Sequence, residues 1–102
     1  MSVQEIIWNY FLNKNFTPES IAGIMGNIDK ESNFLPNRVQ KNDLYTDSQY
    51  TAMVDSGNYQ NFPYDELGYG IVQWTYNVFK KDLLNRCKNA HKSISDLNCQ
   101  LE

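Results

Sequence analysis

Glu31 is the residue of this chain best placed for acid–base chemistry. It lies three residues after Ile28, seven after Ile24 and ten after Ile21, on an apolar stripe with helical spacing. A carboxylate on that face is expected to be half buried. Desolvation and the negative C-terminal end of the helix would both favour its protonated form, as a general acid requires. The same position also suits a helix-end Glu that turns outward or pairs with Lys30 or Arg38. Further along, Gly68-Tyr69-Gly70 followed by Ile71-Val72-Gln73-Trp74 reads as a tight turn into a short strand or extended segment.

Other chemistries find little support. His91 is the only histidine and follows Cys87 by four residues, but a Cys–His pair there lacks an orienting third group. Cys87 falls on an apolar helix face, where a small core residue is the simpler reading than a reactive thiol. The chain has no H-E-x-x-H, no paired C-x-x-C, no phosphate-binding Gly loop and no D-x-D-x-D-G calcium loop, so neither a metal nor a nucleotide cofactor is expected. The two cysteines, Cys87 and Cys99, are too few for a disulfide framework.

The elements that must position these groups fit one domain, since 102 residues leave no room for a second module. Hydrophobic residues at 41% and aromatics at 14% indicate a globular chain, and seven Tyr with five Phe could serve a core or stack on carbohydrate faces. A net charge of -3 argues against a nucleic-acid partner. The charge is uneven: residues 1–66 hold nine acids against four bases, and 67–102 three against five. The basic set Lys80, Lys81, Arg86, Lys88 and Lys92 reads as a solvated helix face rather than a dock for an anionic polymer. No run approaches the roughly 20 apolar residues of a membrane span. Residues 1–20 carry no signal-peptide pattern, so the chain is expected to be soluble, without a membrane partner or an export signal of its own.

A Ser2/Glu5 capping box predicts a first helix over about residues 3–13, with Asn13 to Asn15 as its stop. Thr17-Pro18-Glu19 predicts a restart, with Phe16 and Ile21 placed as a hydrophobic staple. Gly23 and Gly26 suggest close approach by a neighbouring helix, and Pro36 ends the second helix near Glu31 to Asn33. Residues 37–67 form a loop-rich lobe that looks helical only around Ser48 to Val54. Thr75 is a candidate cap for a third long helix striped by Phe79, Leu83, Leu84, Cys87 and Ala90. A Ser93/Asp96 capping box would open a last helix with Ile94, Leu97 and Leu101 inward. A chain ending inside that segment reads as a domain truncated at its C-terminus.

ESNFLPN at 31–37 resembles the E-S-x-F-x-P element of lysozyme-like transglycosylases and goose-type lysozymes, in which a helix ends on the catalytic Glu. GYGIVQW at 68–74 is similar to their G-x-x-G-L-x-Q element. More closely, IAGIMGNIDKESNFLPN, YTAMVDSGNYQNFP and GYGIVQWTY together resemble the phage tail lysozyme family, found in tail-tip lysins and in endolysins of Gram-positive hosts. The likeness runs from IIWNYFL to SISDLNCQLE.

That resemblance implies an α+β, mostly helical, lysozyme-like domain with a small irregular or β lobe beside the catalytic helix end. It implies a bacteriolytic hydrolase, a muramidase-type glycosidase acting on cell-wall peptidoglycan, either tail-associated or released at lysis and joined with other tail or wall-targeting modules. Glu31 would protonate the glycosidic oxygen. Gln73 would reach the substrate or the attacking water from the far wall, and Ser32 would hold Glu31 or nearby backbone. Gly68 and Gly70 would let sugar approach the backbone, although turn geometry selects glycine equally well. Tyr69 and Trp74 would stack on sugars, or else fill core.

Glycosidases commonly pair two carboxylates, about 5–5.5 Å apart when retaining and about 6.5–9.5 Å when inverting. Asp43, Asp47, Asp55, Asp65 and Glu66 all fall in the lobe where a partner would sit. A lytic transglycosylase needs only the Glu, because the substrate's N-acetyl group assists and an anhydro sugar leaves. A module that binds glycan or a tail protein without cutting it is the competing class.

Overall fold

The computed structural model describes residues 1–102. Ser2 and Glu5 cap each other across the first turn of α1 (Val3–Asn13), and Asn15 leaves it in the left-handed region at φ 67°. Thr17 accepts from the Ser20 N–H, with Pro18 at the first position of α2 (Pro18–Ser32). Phe16 lays its ring 5.2 Å from that of Phe11. Thr46 and Gln49 form a second reciprocal box that opens α3 (Asp47–Asp55). A 3-10 turn follows at Phe62–Tyr64, then α4 (Asn77–Asn89) and α5 (Leu97–Leu101).

The architecture is mostly helical, with five helices and essentially no strands. The expected β component reduces to two isolated antiparallel bridges, Val39 with Tyr69 and Tyr69 with Trp74. The physical reason lies in the turn. Gln73 N–H donates to Gly70 O at 3.2 Å, so the chain reverses directly after Tyr69 and no ladder can lengthen.

Two apolar clusters support these elements. The larger joins Val39, Tyr50, Val54, Phe62, Tyr69, Leu83, Cys87, Ile94 and Cys99; the smaller centres on Ile7, Ile28 and Ile71, under α1, α2 and α5. Trp74 packs against both. Each fully buried Ile or Leu contributes roughly 1.5–3 kcal/mol. Burial, and next the neighbouring Cys99, push the Cys87 thiol up to about 12. It is an inert core group, and His91 lies exposed at the end of the helix.

Several expectations are corrected here. Gly23 and Gly26 face open space, with nothing within 4 Å of an added Cβ, so no helix packs closely against them. Thr75 does not cap α4: the helix opens at Asn77 with Tyr76 in the cap position and no side-chain bond, and the Thr75 hydroxyl donates to Gln73 O at 3.0 Å instead. Ser93 opens no helix: its hydroxyl donates to Asp55 Oδ2 at 2.5 Å and accepts from the Ser95 N–H at 3.1 Å, while Asp96 caps α5 by accepting from the Cys99 N–H. Phe79 is 56% exposed and Ala90 is exposed, while Lys80, assigned to a solvated face, is fully buried.

Lys80 is tolerated inside because all three of its protons are used. Its ammonium donates to Asp65 Oδ1, to Leu67 O at 2.8 Å and to Tyr50 Oη at 3.2 Å, and it stands 4.4 Å from the centre of the Phe62 ring. Asp65 also accepts from Tyr50 and Tyr59 hydroxyls at 2.6 and 2.7 Å and from the Leu67 N–H at 3.0 Å. Burial by itself would push the Asp65 carboxyl up; the bonds from Lys80, Tyr50, Tyr59 and Leu67 outweigh it and hold the group below its ordinary range. Burial, then Asp65, push both tyrosines up and keep them neutral donors.

Asp65→Asn strands a buried ammonium and is expected to lower stability by about 3–5 kcal/mol, read by urea denaturation at neutral pH. Because the folded Asp65 value lies below the unfolded one, its contribution is complete above about pH 5 and is lost as pH falls through the folded value. The variant should lack that part of the acid limb. Gly70 sits at φ +86°, and an added Cβ would come 2.7 Å from the Trp74 ring, so Gly70→Ala should cost about 2–4 kcal/mol by the same measurement.

Candidate active site

A shallow polar cleft of about 550 Å³ is lined by Asn27, Lys30, Glu31, Gln40, Gly68, Gln73 and Thr75. The two motifs that stand far apart in sequence therefore face each other across one space. Glu31 stands one residue before the end of α2. Asn33 and Phe34 then turn the chain with φ of 53° and 60°. Left-handed backbone at a bulky residue such as Phe34 is strained, as is Gln73 at φ 53° on the opposite wall.

Glu31 itself is exposed, which corrects the expectation of half burial. Ile21, Ile28 and Ser32 are the residues of α2 that point fully inward. A four-residue step from Ile28 returns to the same face, so Ser32 takes the inner position and Glu31 is rotated towards the cleft.

The opposite wall is built by main-chain pairing. Gly70 N–H donates to Arg38 O at 2.9 Å and Gln40 N–H to Gly68 O at 2.7 Å, laying residues 38–40 beside 68–70. Gln73 locks this arrangement: its amide nitrogen donates to Arg38 O at 2.9 Å and to Gly70 O at 2.8 Å. Both partners are carbonyls, so the orientation of the amide is determined and its oxygen is left for the cleft. A Cβ added at Gly68 would stand 3.0 Å from that oxygen and press on the Gln73 side chain.

The two walls are tied together at Ile71. Ser32 Oγ donates to Ile71 O at 2.9 Å, and Gln100 Oε1 accepts from Ile71 N–H at 3.0 Å. Gln100 also donates to Pro36 O at 2.6 Å and Ile94 O at 2.8 Å, so α5 clamps both the turn and the segment that follows Glu31. Sequence reasoning missed Gln100, which shows no pattern beyond its place in an amphipathic segment. Asn27 was legible in principle, since it precedes Glu31 by one helical turn.

The remaining candidates lie as follows. Ser32, Tyr69 and Gly70 are buried and hold backbone or core; the Tyr69 hydroxyl bonds Thr51 at 2.6 Å, and burial pushes its pKa up. Trp74 is partly buried and presents an edge to a neighbouring depression. Asp43 is exposed on the 41–46 loop. Asp47 accepts from the Val39 N–H at 3.0 Å. Asp55 accepts from Ser93 and the Ile94 N–H, and Asp65 is enclosed with Lys80. Glu66 borders a different depression, beside Tyr64 and Tyr76. Glu31 is thus the one carboxylate lining the cleft.

Gln100→Leu would orphan the Ile71 N–H and two carbonyls, and an equilibrium unfolding measurement should show a loss of about 2–4 kcal/mol. No curated protein and no solved structure matches the chain. The family model described as phage tail lysozyme matches residues 2–102. Helix-end Glu, opposing Gln-bearing turn and near-complete family match agree, and the chain belongs to the phage tail lysozyme family, whose membership implies a peptidoglycan-hydrolysing enzyme.

Proposed function

We propose that this domain cleaves the glycan strand of bacterial peptidoglycan as a muramidase-type glycosidase, with Glu31 as general acid. The observation that carries this reading is the placement of Glu31 and Gln73 on opposing walls of one cleft that contains no other carboxylate. Glu31 delivers its proton to the glycosidic oxygen as the bond to the anomeric carbon breaks. The unpartnered Gln73 carbonyl oxygen accepts from a substrate hydroxyl or from the water that adds to that carbon, and the water's proton returns to the Glu31 carboxylate left by the first transfer. Seating a sugar in the cleft displaces the water that now surrounds Glu31, so the dry setting an acid needs is supplied by the substrate itself.

The lone carboxylate favours a second route on the same residue. The acetamido oxygen of the substrate attacks the anomeric carbon while Glu31 protonates the leaving oxygen. The C6 hydroxyl of the same sugar then displaces the acetamido oxygen and returns its proton to Glu31, leaving a 1,6-anhydro end. Hydrolysis and this lytic transglycosylase reaction differ in whether water or that hydroxyl closes the cycle.

Glu31→Gln is expected to reduce release of glycan fragments from purified cell walls by about 10²–10⁴-fold, with the unfolding midpoint unchanged because the residue is exposed. Full lytic activity in this variant would sink the assignment. Mass spectrometry of fragments from the unmodified protein separates reducing ends from anhydro ends, and shows which sugar carries them.

A further inference from the structure

The face beside the cleft inverts ordinary burial preference. At adjacent positions on α4, Lys80 is fully buried while Phe79 is 56% exposed; one residue before that helix Tyr76 is 74% exposed, and Tyr64 across from it is 58% exposed. Solvent-facing aromatics gathered in one place mark a binding surface more often than a packing accident. Their position gives the occupant. The depression beside Tyr64 and Tyr76 and the one beside Tyr76 and Phe79 both share Thr75 with the Glu31 cleft, and the latter also shares Gln73. The three form one path along the surface, with Thr75 at the junction.

We infer that Tyr64, Tyr76 and Phe79 form a stacking platform for the glycan strand on one side of the bond being cut, so that several sugars are held beyond the cleft. This rests on the cleft being the place of cleavage. A pyranose presents a flat C–H face and a rim of hydroxyls. The exposed rings, flanked by Val72 and Trp74 on the side of the cleft, offer apolar faces, and Thr75, Asn77 and Glu66 beside them offer hydrogen-bonding groups, which together match both features. Tyr76 and Phe79 meet at 66° with centroids 6.4 Å apart, so they offer two differently inclined faces, as successive residues of a twisting polysaccharide require.

The test uses Glu31→Gln as parent, so that ligands are not consumed, and titrates it with peptide-stripped glycan strands and with short N-acetylglucosamine oligomers. Tyr76→Ala and Phe79→Ala should each weaken long-strand binding about tenfold while leaving the shortest oligomers unchanged. Tyr76→Phe should retain affinity, and Leu44→Ala, exposed but lining none of the three depressions, should have no effect. Unchanged long-strand affinity in the two alanine variants would overturn the inference, as would no measurable glycan binding by the parent. Loss of affinity only for isolated stem peptides would assign the face to peptide instead. Altered sedimentation with glycan affinity intact would assign it to a second copy. Binding is read without Glu31, so persistent wall lysis by Glu31→Gln would remove the proposed chemistry and leave the binding result standing.

Discussion

A buried ammonium must have every proton bonded and an anion close by, and the region between α3 and α4 is arranged around satisfying that demand at Lys80. Asp65 supplies the charge, Tyr50 and Leu67 supply the other acceptors, and Phe62 closes the site with its ring. One group therefore joins α3, the 3-10 turn, the 65–67 backbone and α4, in a lobe with little regular structure to order it. Directional bonds in a dry interior specify one arrangement where apolar contact would accept several. The consequence reaches the cleft, because Leu67, bonded through both its N–H and its C=O, leads directly into Gly68.

The second constraint is the satisfaction of Ile71. Its side chain belongs to the smaller cluster, while its N–H and C=O are taken by Gln100 and Ser32. A buried turn carries polar groups with no water to serve them, so side chains from two helices must do so. Ser32 adjoins Glu31, and Gln100 also holds the carbonyl of Pro36. The placement of Glu31 relative to the 68–74 turn is thus held by bonds to main chain, and Trp74 packs against both clusters. Strain at Phe34 and Gln73 lies on either side of this clamp, where surrounding bonds can sustain it.

The helices that bear the site were legible because their signals are local. Ser2 with Glu5, Thr17 with Pro18, and the left-handed Asn15 each act within one turn of chain. The misreadings arose where a residue with a capping signal found other partners. Ser93 donates its hydroxyl to Asp55 across the fold and accepts from the Ser95 N–H, and the helix opens later, behind Asp96. Thr75 bonds locally, to the carbonyl of Gln73 two residues back, and the helix opens behind Tyr76. Lys80 reads as surface by residue type, and only the tyrosine-and-aspartate lobe makes its burial tolerable. Glu31 reads as part of the stripe by spacing, yet a face of α2 wide enough for Ile28 and Ser32 leaves it outside.

The first two helices, the helix end at Glu31, the turn at 68–74 and the family are legible in the chain alone, since all of these depend on residues close together or on ordered blocks of them. Which of those residues meet, and where the last two helices open, follows from the fold. It placed Gln73 opposite Glu31, withdrew Ser32, Tyr69 and Gly70 into the interior, committed Asp65 to Lys80 and turned Tyr76 and Phe79 outward along the cleft. The physical reason is that polar groups are assigned by whatever donor or acceptor the fold brings within bonding reach, and chain-local patterns carry no record of that partner.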